Sequence, residues 1–438
     1  MKTNSEEKFT QSLTFRAIII AFMTLMLLIP SVMIQSLIGE RQQTSKEAIR
    51  KINDKWSSPQ TLNGPILNIP YTTETTEGST VKIKKRVLRI APDRLKITTK
   101  LFPEERHYGI YKSILYKSDT RFSGSFSFPK ELDTKGMTLD MRGAYISLGI
   151  TDLRGIGENR EFVLGGTKYS AKASSKNQQE DGLEIDLTGL QDSALQKPIA
   201  FDYQLKLKGS SDINFIPVGK TTTVEVSGAW KSPGFTGNFT PEYKIDQNGF
   251  KASWNVLSFN RPIPDYWSDN EFSNPNQSSF GVDLVDTVDQ YQQNMRSAKY
   301  AIMFILLTFV VFFFIEILTG KRIHPIQYLL VGIALIIFYT LLLSISEQIN
   351  FGAAYLIAST ATIGLITVYV QSIFKDKRQS LSLCAMLCGL YTFLYVILQL
   401  EDIALLIGSL GLFCILAAIM YFSRKIEWYK HRSQAAEE

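Results

Sequence analysis

The sequence predicts a membrane protein of the α+β class. It has six transmembrane helices and a large, mostly antiparallel, sandwich-like β domain between helices 1 and 2. Three observations predict this. Apolar residues segregate into residues 17–38 and 298–422. Two-residue alternation runs through the polar stretch between them. Lys and Arg gather at alternate ends of the apolar segments. The averages over 438 residues hide this pattern: 45% hydrophobic, 20% charged, mean hydropathy +0.01. Such segregation excludes a fully soluble enzyme, a disordered chain and a fibrous chain.

The elements follow in order. Residues 1–13 form a short polar tail and 14–38 the first helix. Ala17 to Ile38 is long enough to cross a hydrocarbon core of about 30 Å at about 1.5 Å per residue. A secretory signal has a shorter apolar run and a small-residue cleavage site. This run ends Ser36-Leu37-Ile38-Gly39-Glu40, so an uncleaved anchor is expected, kinked at Pro30. A juxtamembrane helix follows, with Ile49, Ile52 and Trp56 on one face to pack on the next domain.

Strands are expected through residues 60–287. Val81–Lys84, Leu95–Leu101, Phe122–Phe128, Phe201–Leu207, Thr222–Val226 and Phe250–Trp254 alternate. Asn63-Gly64-Pro65, Asp181-Gly182, Asn248-Gly249 and Arg261-Pro262 read as turns, and 172–181 and 265–279 as polar loops. One sandwich and two both fit. Gln290–Lys299 then leads into five apolar segments at 298–318, 325–346, 351–373, 380–400 and 403–423. The expected domains are thus the tail 1–13, helix 14–38, the β-rich domain with its juxtamembrane helices 39–297, the five-helix bundle 298–423 and the tail 424–438.

Charge orients the helices. Lys321-Arg322, Lys375 to Arg378 and the tail from Arg424 are basic, whereas Glu347–Asn350 and Glu401-Asp402 contain no Lys or Arg. Six alternating spans put every basic loop and both termini in the cytoplasm. The β domain is then extracytoplasmic, and periplasmic in a two-membrane bacterium. The net charge of +6 is explained by these flanks, so the expected partner is the lipid bilayer, not nucleic acid. All three cysteines, Cys384, Cys388 and Cys414, lie in apolar segments and read as packing residues, leaving the β domain without disulfides.

No catalytic, cofactor or metal site is expected. Three histidines are too few, and His107 would have to be the sole base of any triad in the β domain. Val218-Gly219-Lys220-Thr221 ends like a phosphate-binding loop, but position 214 is Asn rather than Gly. Gly155-Ile-Gly157, after Asp152 and Arg154, reads as a tight turn. The candidate functional residues are Glu316, His324, Gln327, Glu347 and Arg154. Glu316 lies about a turn from a cytoplasmic helix end, where it faces the bundle or snorkels towards Lys321 or Arg322. His324 and Pro325 start the next helix, Gln327 is placed to bond across helices, and Glu347 sits at an outer end within reach of water. Gly352, Gly364, Gly389, Gly408 and Gly411 suit close helix packing.

An ordered set of residues carries a resemblance. It comprises Ile29-Pro30, Gln35, Ile38 and Glu40-Arg41; Asn63-Gly64-Pro65; Asp152 to Gly157; Pro233 to Gly237 with Phe239 and Pro241; Asp289 to Gln292; Lys299 to Ile302; Arg322 to Gly332; and Phe338-Tyr339 with Ser346-Glu347. In these the chain resembles the CreD family over nearly its whole length. The resemblance implies an inner-membrane protein linked to envelope integrity and to the Cre two-component regulatory system, and it implies no reaction. Members commonly carry His after the Glu at position 347, but here the residue is Gln348. The expected function is therefore non-enzymatic: a periplasmic domain that binds an envelope component or protein partner, held by a helical bundle. A transporter or export component centred on Glu316, His324 and Gln327 is the alternative, and a periplasmic hydrolase a third. The oligomeric state stays open.

Overall fold

The computed structural model describes residues 13–77, 80–174, 182–190, 197–268, 275–284, 290–319, 323–400 and 403–424. The chain divides into two compact units, with boundaries after Ser45 and after Thr287.

The helical unit begins with α1 (Leu13–Met26) and α2 (Leu28–Trp56), which meet at Leu27. Pro30 has no N–H for the Met26 carbonyl, so the ladder is interrupted there. Turn bonds from Leu27 N–H to Met23 O (3.0 Å) and Ser31 N–H to Leu27 O (3.2 Å) carry the helix through. The juxtamembrane helix is thus a continuation of the first span, which runs unbroken from Phe15 to Trp56.

After the β unit, α3 (Gln290–Lys299) and α4 (Ala301–Thr319) meet at a 42° bend. Then come α5 (Pro325–Ser346), α6 (Phe351–Phe374), α7 (Lys377–Gln399) and α8 (Ala404–Ser423). Caps set these boundaries. Asn350 Oδ1 accepts from Ala353 N–H at 2.9 Å to start α6. Lys375 ends that helix in the left-handed region at φ +53°, and Asp376 Oδ1 accepts from Arg378 N–H at 2.9 Å to start α7. Among the described residues four helices are long and apolar enough to cross a membrane, or five if α3 and α4 form one bent span. α8 offers a shorter apolar stretch, Leu406–Ala417.

Phe309, Phe312, Phe338, Leu383, Leu387 and Leu394 are buried inside this unit, while Leu356, Leu365, Val368, Leu381 and Phe413 are exposed. Apolar side chains outside as well as inside are what a hydrocarbon solvent permits. A Cβ on Gly364 or Gly389 would meet nothing within 4 Å, so these two do not mediate helix contact. The close approach lies elsewhere: a Cβ on Gly332 would meet Leu27 Cδ1 at 2.3 Å, and one on Gly411 the Phe393 ring at 2.1 Å.

The β unit holds two sheets. The larger has ten strands, in the order Ala171–Ala173, Gly182–Asp186, Tyr145–Ile150, Gln60–Glu77, Asp212–Ile216, Phe280–Asp283 and Gly234–Gly237, with three further strands attached beside them. The other has nine, in the order Glu242–Asp246, Gly249–Leu257, Thr221–Gly228, Arg94–Tyr108, Tyr111–Phe126, Ile199–Ser210, Phe162–Leu164 and Thr167–Tyr169, with Ile156–Asn159 beside Ile199–Ser210. Both sheets are mixed. Gln60–Asn63 runs parallel to Ile213–Ile216, and Arg94–Leu101 parallel to Thr221–Gly228. Two-residue alternation is the same in either direction of pairing, so the pattern in the sequence does not distinguish them.

Asn63-Gly64-Pro65 is not a turn. It is a register shift inside the long strand Gln60–Glu77, where Gly64 takes φ +116° and a Cβ would lie 2.9 Å from Ser147 O. The expected polar loop 265–279 likewise contains the strand Tyr266–Ser268, paired with Leu88–Ile90. The expected loop at 172–181 lies mainly outside the described residues.

Inward residues of both sheets form one continuous buried cluster, including Leu62, Ile69, Ile97, Phe122, Tyr203, Val224 and Trp254. Phe162 is central, with ring centroids 5.9 Å from Phe201 and 5.5 Å from Tyr203. Replacing Phe162 by Ala is expected to lower unfolding stability by about 3–5 kcal/mol. The same change at Phe259, which is 95% exposed, is expected to stay within about 0.5 kcal/mol. Denaturant titration of the purified full-length variants measures both.

Candidate functional site

The charged functional candidates gather at three places, and His324 and Gln327 lie apart from them in a helix cap. The first two of these places lie in the helical unit. Glu316, on α4, is only 4% exposed. Its Oε1 accepts from Arg16 Nη1 at 2.7 Å and its Oε2 from the Tyr328 hydroxyl at 2.9 Å. A carboxylate in an apolar bundle requires such partners, because an unpaired ion there is expensive. Lys321 and Arg322 lie outside the described residues. Glu347 follows α5 and is not in open water: its side chain is 10% exposed. It takes a two-pronged pair from Arg41, Nε to Oε1 at 2.8 Å and Nη2 to Oε2 at 2.6 Å, and a third bond from the Tyr291 hydroxyl at 3.0 Å.

The two clusters share one plan. Each is a glutamate of the C-terminal helices bonded to an arginine of the first span and to a tyrosine. About 37 Å of helix lies between Arg16 and Arg41, slightly more than a hydrocarbon core of about 30 Å. The clusters thus fall at opposite ends of the span. Between them Ile20, Met23, Leu27, Ile34 and Ile38 are buried against the other helices.

Gln327 does not bond across helices. Its Oε1 accepts from the His324 backbone N–H at 3.0 Å, while His324 Nδ1 accepts from Ile326 N–H at 3.3 Å. The two side chains close the first turn of α5 around Pro325, so their hydrogen bonds are used in capping. The three residues of the transporter reading therefore do not converge on one site: Glu316 is bonded to Arg16 and Tyr328, and His324 and Gln327 to each other's first turn.

The third place is in the β unit. Arg154 grips Asp152 through Nε to Oδ1 at 2.9 Å and Nη2 to Oδ2 at 2.8 Å. Its Nη1 donates to Asp54 O at 2.9 Å, at the last turn of α2. Asp152 also accepts from Ser58 N–H at 2.9 Å. The Arg154 guanidinium, with the Ser58 and Arg154 N–H groups, holds this carboxyl well below the usual carboxylate range. Buried Gln60 adds bonds to Ser57 Oγ (2.9 Å), Asp152 O (3.0 Å) and Lys208 O (3.2 Å). A Cβ on Gly155 would lie 2.4 Å from Lys208 O, so the turn must be glycine. This cluster fastens the end of α2 to the sheets, which is a positioning role for Arg154.

One carboxyl in the β unit is poised the other way. Asp212 faces Asp283 across paired strands. Burial, then the Asp283 charge, pushes Asp212 up to about 6. Burial raises Asp283 as well.

A cavity of about 1410 Å³ opens in the β unit, walled by Arg94, Phe128, Lys130, Lys197 and Tyr266 among others. Lys220, from the loop that resembles a phosphate site, pairs with Asp93 at 2.9 Å on its wall. Among the described residues no group of three or more His, Cys, Asp or Glu could hold a metal ion. His107 is exposed on the strand Arg94–Tyr108. Sequence reasoning meets Arg41 only as one of the residues of the family resemblance, and singles out neither Arg16 nor the cavity. Helix alternation does place Arg16 with Glu316 and Arg41 with Glu347 on matching sides, a signal sufficient to suggest the pairs.

These features define a multi-pass membrane protein whose first span is ion-paired at both ends to a C-terminal helical bundle and whose intervening chain folds as a large β unit. A family model described as "Inner membrane protein CreD" matches residues 12–429. Inner membrane protein CreD of Escherichia coli (strain K12) is 31% identical over 412 residues, covering 92% of this chain and 91% of that one. The chain belongs to the CreD family and is a multi-pass protein of the inner membrane. Among solved structures, native leukotriene A4 hydrolase from Saccharomyces cerevisiae is 9% identical, covers 41% of this chain and 29% of its own, and gives a TM-score of 0.20. A second structure of the native yeast enzyme is 7% identical, with 50% and 34% covered and the same TM-score of 0.20. Likeness at that score carries no conclusion about fold or activity.

Two outcomes are expected. Arg16→Met strands the Glu316 carboxylate and lowers stability in detergent by about 3–5 kcal/mol. Arg16→Met combined with Glu316→Gln recovers part of that loss, and a double-mutant cycle on unfolding midpoints reads the coupling. For Asp212, the native state takes up a proton near pH 6 and the unfolded chain near its ordinary value of 3.8. Its contribution to stability therefore grows as pH falls through that window and is lost as pH rises through about 6. Asp212→Asn is expected to stabilise the protein at neutral pH and to flatten the stability profile between those values, as measured by thermal unfolding across pH.

Proposed function

We propose that this CreD-type protein is a non-enzymatic envelope-integrity factor. Its β unit faces the periplasm and binds an anionic envelope component or partner, and its six spans hold both termini in the cytoplasm. α8 supplies the sixth span. The orientation is supported by the cations at Lys375, Lys377, Arg378 and Arg424, against the acidic ends at Glu347 and beyond Leu400.

The observation that carries the binding reading is the cavity. At about 1410 Å³ it exceeds the usual range for small-molecule pockets, about 300–1,000 Å³, and suits a segment of a polymer or an extended chain. Two of its acids are engaged by cations, Asp93 by Lys220 at 2.9 Å and Asp265 by Arg261 at 3.1 Å. Arg94, Lys130 and Lys197, set against the one further acid Glu131, then leave the wall positive on balance beside the rings of Phe128 and Tyr266. Cations next to aromatic faces favour an anionic ligand with an apolar part.

Complementation of a deletion strain tests this. At matched abundance, Lys130→Glu with Lys197→Glu is expected to lose most of the protection against detergent and cell-wall antibiotics. Exchange of the distant exposed Lys244 for Glu is expected to leave protection unchanged. Full protection by the double variant contradicts the cavity's role.

A further inference from the structure

We propose that the ligand of the β-unit cavity is an extended, acidic segment of polypeptide, which adds as a strand to the edge Met137–Leu139. This rests on the cavity reading above and names the class of its partner. Met137, Thr138 and Leu139 all line the cavity. They form a short strand antiparallel to Tyr71–Thr73 of the long strand Gln60–Glu77. Asp140 N–H donates to Pro70 O at 2.8 Å, which sets the phase of this ladder. Bonded pairs alternate along an antiparallel ladder, so Thr138 is the residue that bonds with Thr72. Leu139 N–H, Leu139 O and Met137 O therefore point away from the long strand. Met137 N–H is used locally and donates to Thr134 O at 3.0 Å.

The sheet leaves room for one more strand here. Tyr145–Ile150 lies on the same side of the long strand and is covered in turn by Gly182–Asp186. That cover stops short of Met137–Leu139: Leu187 N–H donates to Ala144 O at 3.0 Å, and Leu190 N–H turns back to Leu187 O at 3.2 Å. Among the described residues no strand pairs with the outer edge of Met137–Leu139.

The chemistry of this edge selects the occupant. It presents a carbonyl at 137 and an N–H with a carbonyl at 139, about 6.8 Å apart along the strand. A polypeptide backbone matches that row donor for acceptor, whereas a glycan or an acyl chain carries no such repeat. Protein sheets commonly blunt an open edge with charge, but these three residues are uncharged. Met137 and Leu139 pack on the core beside Phe128, and Thr138 is exposed on the opposite face. Alternate residues of an added strand share the face of Met137 and Leu139 and are expected to be apolar. Exposed Arg94, Lys130 and Lys197 carry no ion pair among the described residues, and they favour acidic residues in the same segment.

A proline on the edge tests this in the full chain. Leu139→Pro removes an N–H that the fold leaves unused, a position where a sheet edge tolerates proline, and it blocks pairing with an incoming strand. In the complementation assay at matched abundance, Leu139→Pro is expected to lose most of the protection, as Lys130→Glu with Lys197→Glu does. Full protection by Leu139→Pro beside loss in the lysine variant overturns strand addition and leaves the cavity's role standing. Full protection by the lysine variant removes the cavity's role and this proposal with it. If Leu139→Pro does not reach normal abundance, binding to the purified full-length wild-type protein decides. The probe is a fluorescent octapeptide of alternating valine and glutamate, followed by anisotropy. Two further forms are N-methylated, one at every valine amide and one at every glutamate amide. A strand offers the N–H groups of alternate residues to one edge, so one methylated form is expected to bind at least about tenfold more weakly and the other close to the parent. Equal binding by the two forms, or none by the parent peptide, overturns the proposal.

Discussion

A carboxylate buried in an apolar bundle must be matched, and in this chain both matches come from the same helix. Arg16 reaches Glu316 and Arg41 reaches Glu347, with a tyrosine hydroxyl completing each group. Removing either arginine leaves a largely buried carboxylate without its cation. The first span therefore has one favourable axial position against the C-terminal helices, and a slide by one turn would break both pairs together. Apolar contacts alone do not impose this, because lipid is as apolar as the leucines that face it. Leu27 seated over Gly332 fixes the rotation of the span as the arginines fix its height.

From that fixed helix the chain continues without a break to Trp56. The end of the helix is fastened again, by Arg154 on the Asp54 carbonyl and by Gln60 bonded to Ser57 and to the Asp152 and Lys208 carbonyls. Helix termini leave carbonyls unpaired, and an arginine there satisfies one and complements the helix dipole. The same arginine neutralises Asp152, whose second oxygen takes the Ser58 N–H as the chain turns into the first strand. Sequence and packing agree at this corner: only glycine fits at 155, under the Lys208 carbonyl.

Much of this is legible in the sequence, and the remainder is hidden for identifiable reasons. The apolar runs, the β-rich middle and the helical lead at Gln290 follow from periodicity, which local burial enforces. The residues at Asp152 to Gly157 and at Glu40-Arg41 stand out through a family resemblance, and matching the family over residues 12–429 bears that out. Their bonding does not show, since a sequence displays charges but not which of them meet. Gln327 illustrates the same limit: a glutamine in a membrane helix suggests an interhelical bond, yet three residues after His324 it completes a local cap. Glu347 reads as water-exposed because it ends a helix, and nothing local in the sequence reveals that α3, carrying Tyr291, lies beside it as cover. Parallel pairing at Gln60–Asn63 and at Thr221–Gly228 escapes because it joins strands far apart in the chain.

The most direct test of the clamped first span is a cross-link between its middle and α5. Leu27→Cys and Gly332→Cys, in a chain whose native cysteines are replaced, place two thiols where the Leu27 side chain now lies over Gly332. Mild oxidation in native membranes is predicted to join them in nearly all molecules, while pairing Gly332→Cys with Leu25→Cys, whose side chain is exposed, yields little. Failure of the Leu27–Gly332 pair to cross-link in protein of normal abundance would contradict a first span packed among the C-terminal helices.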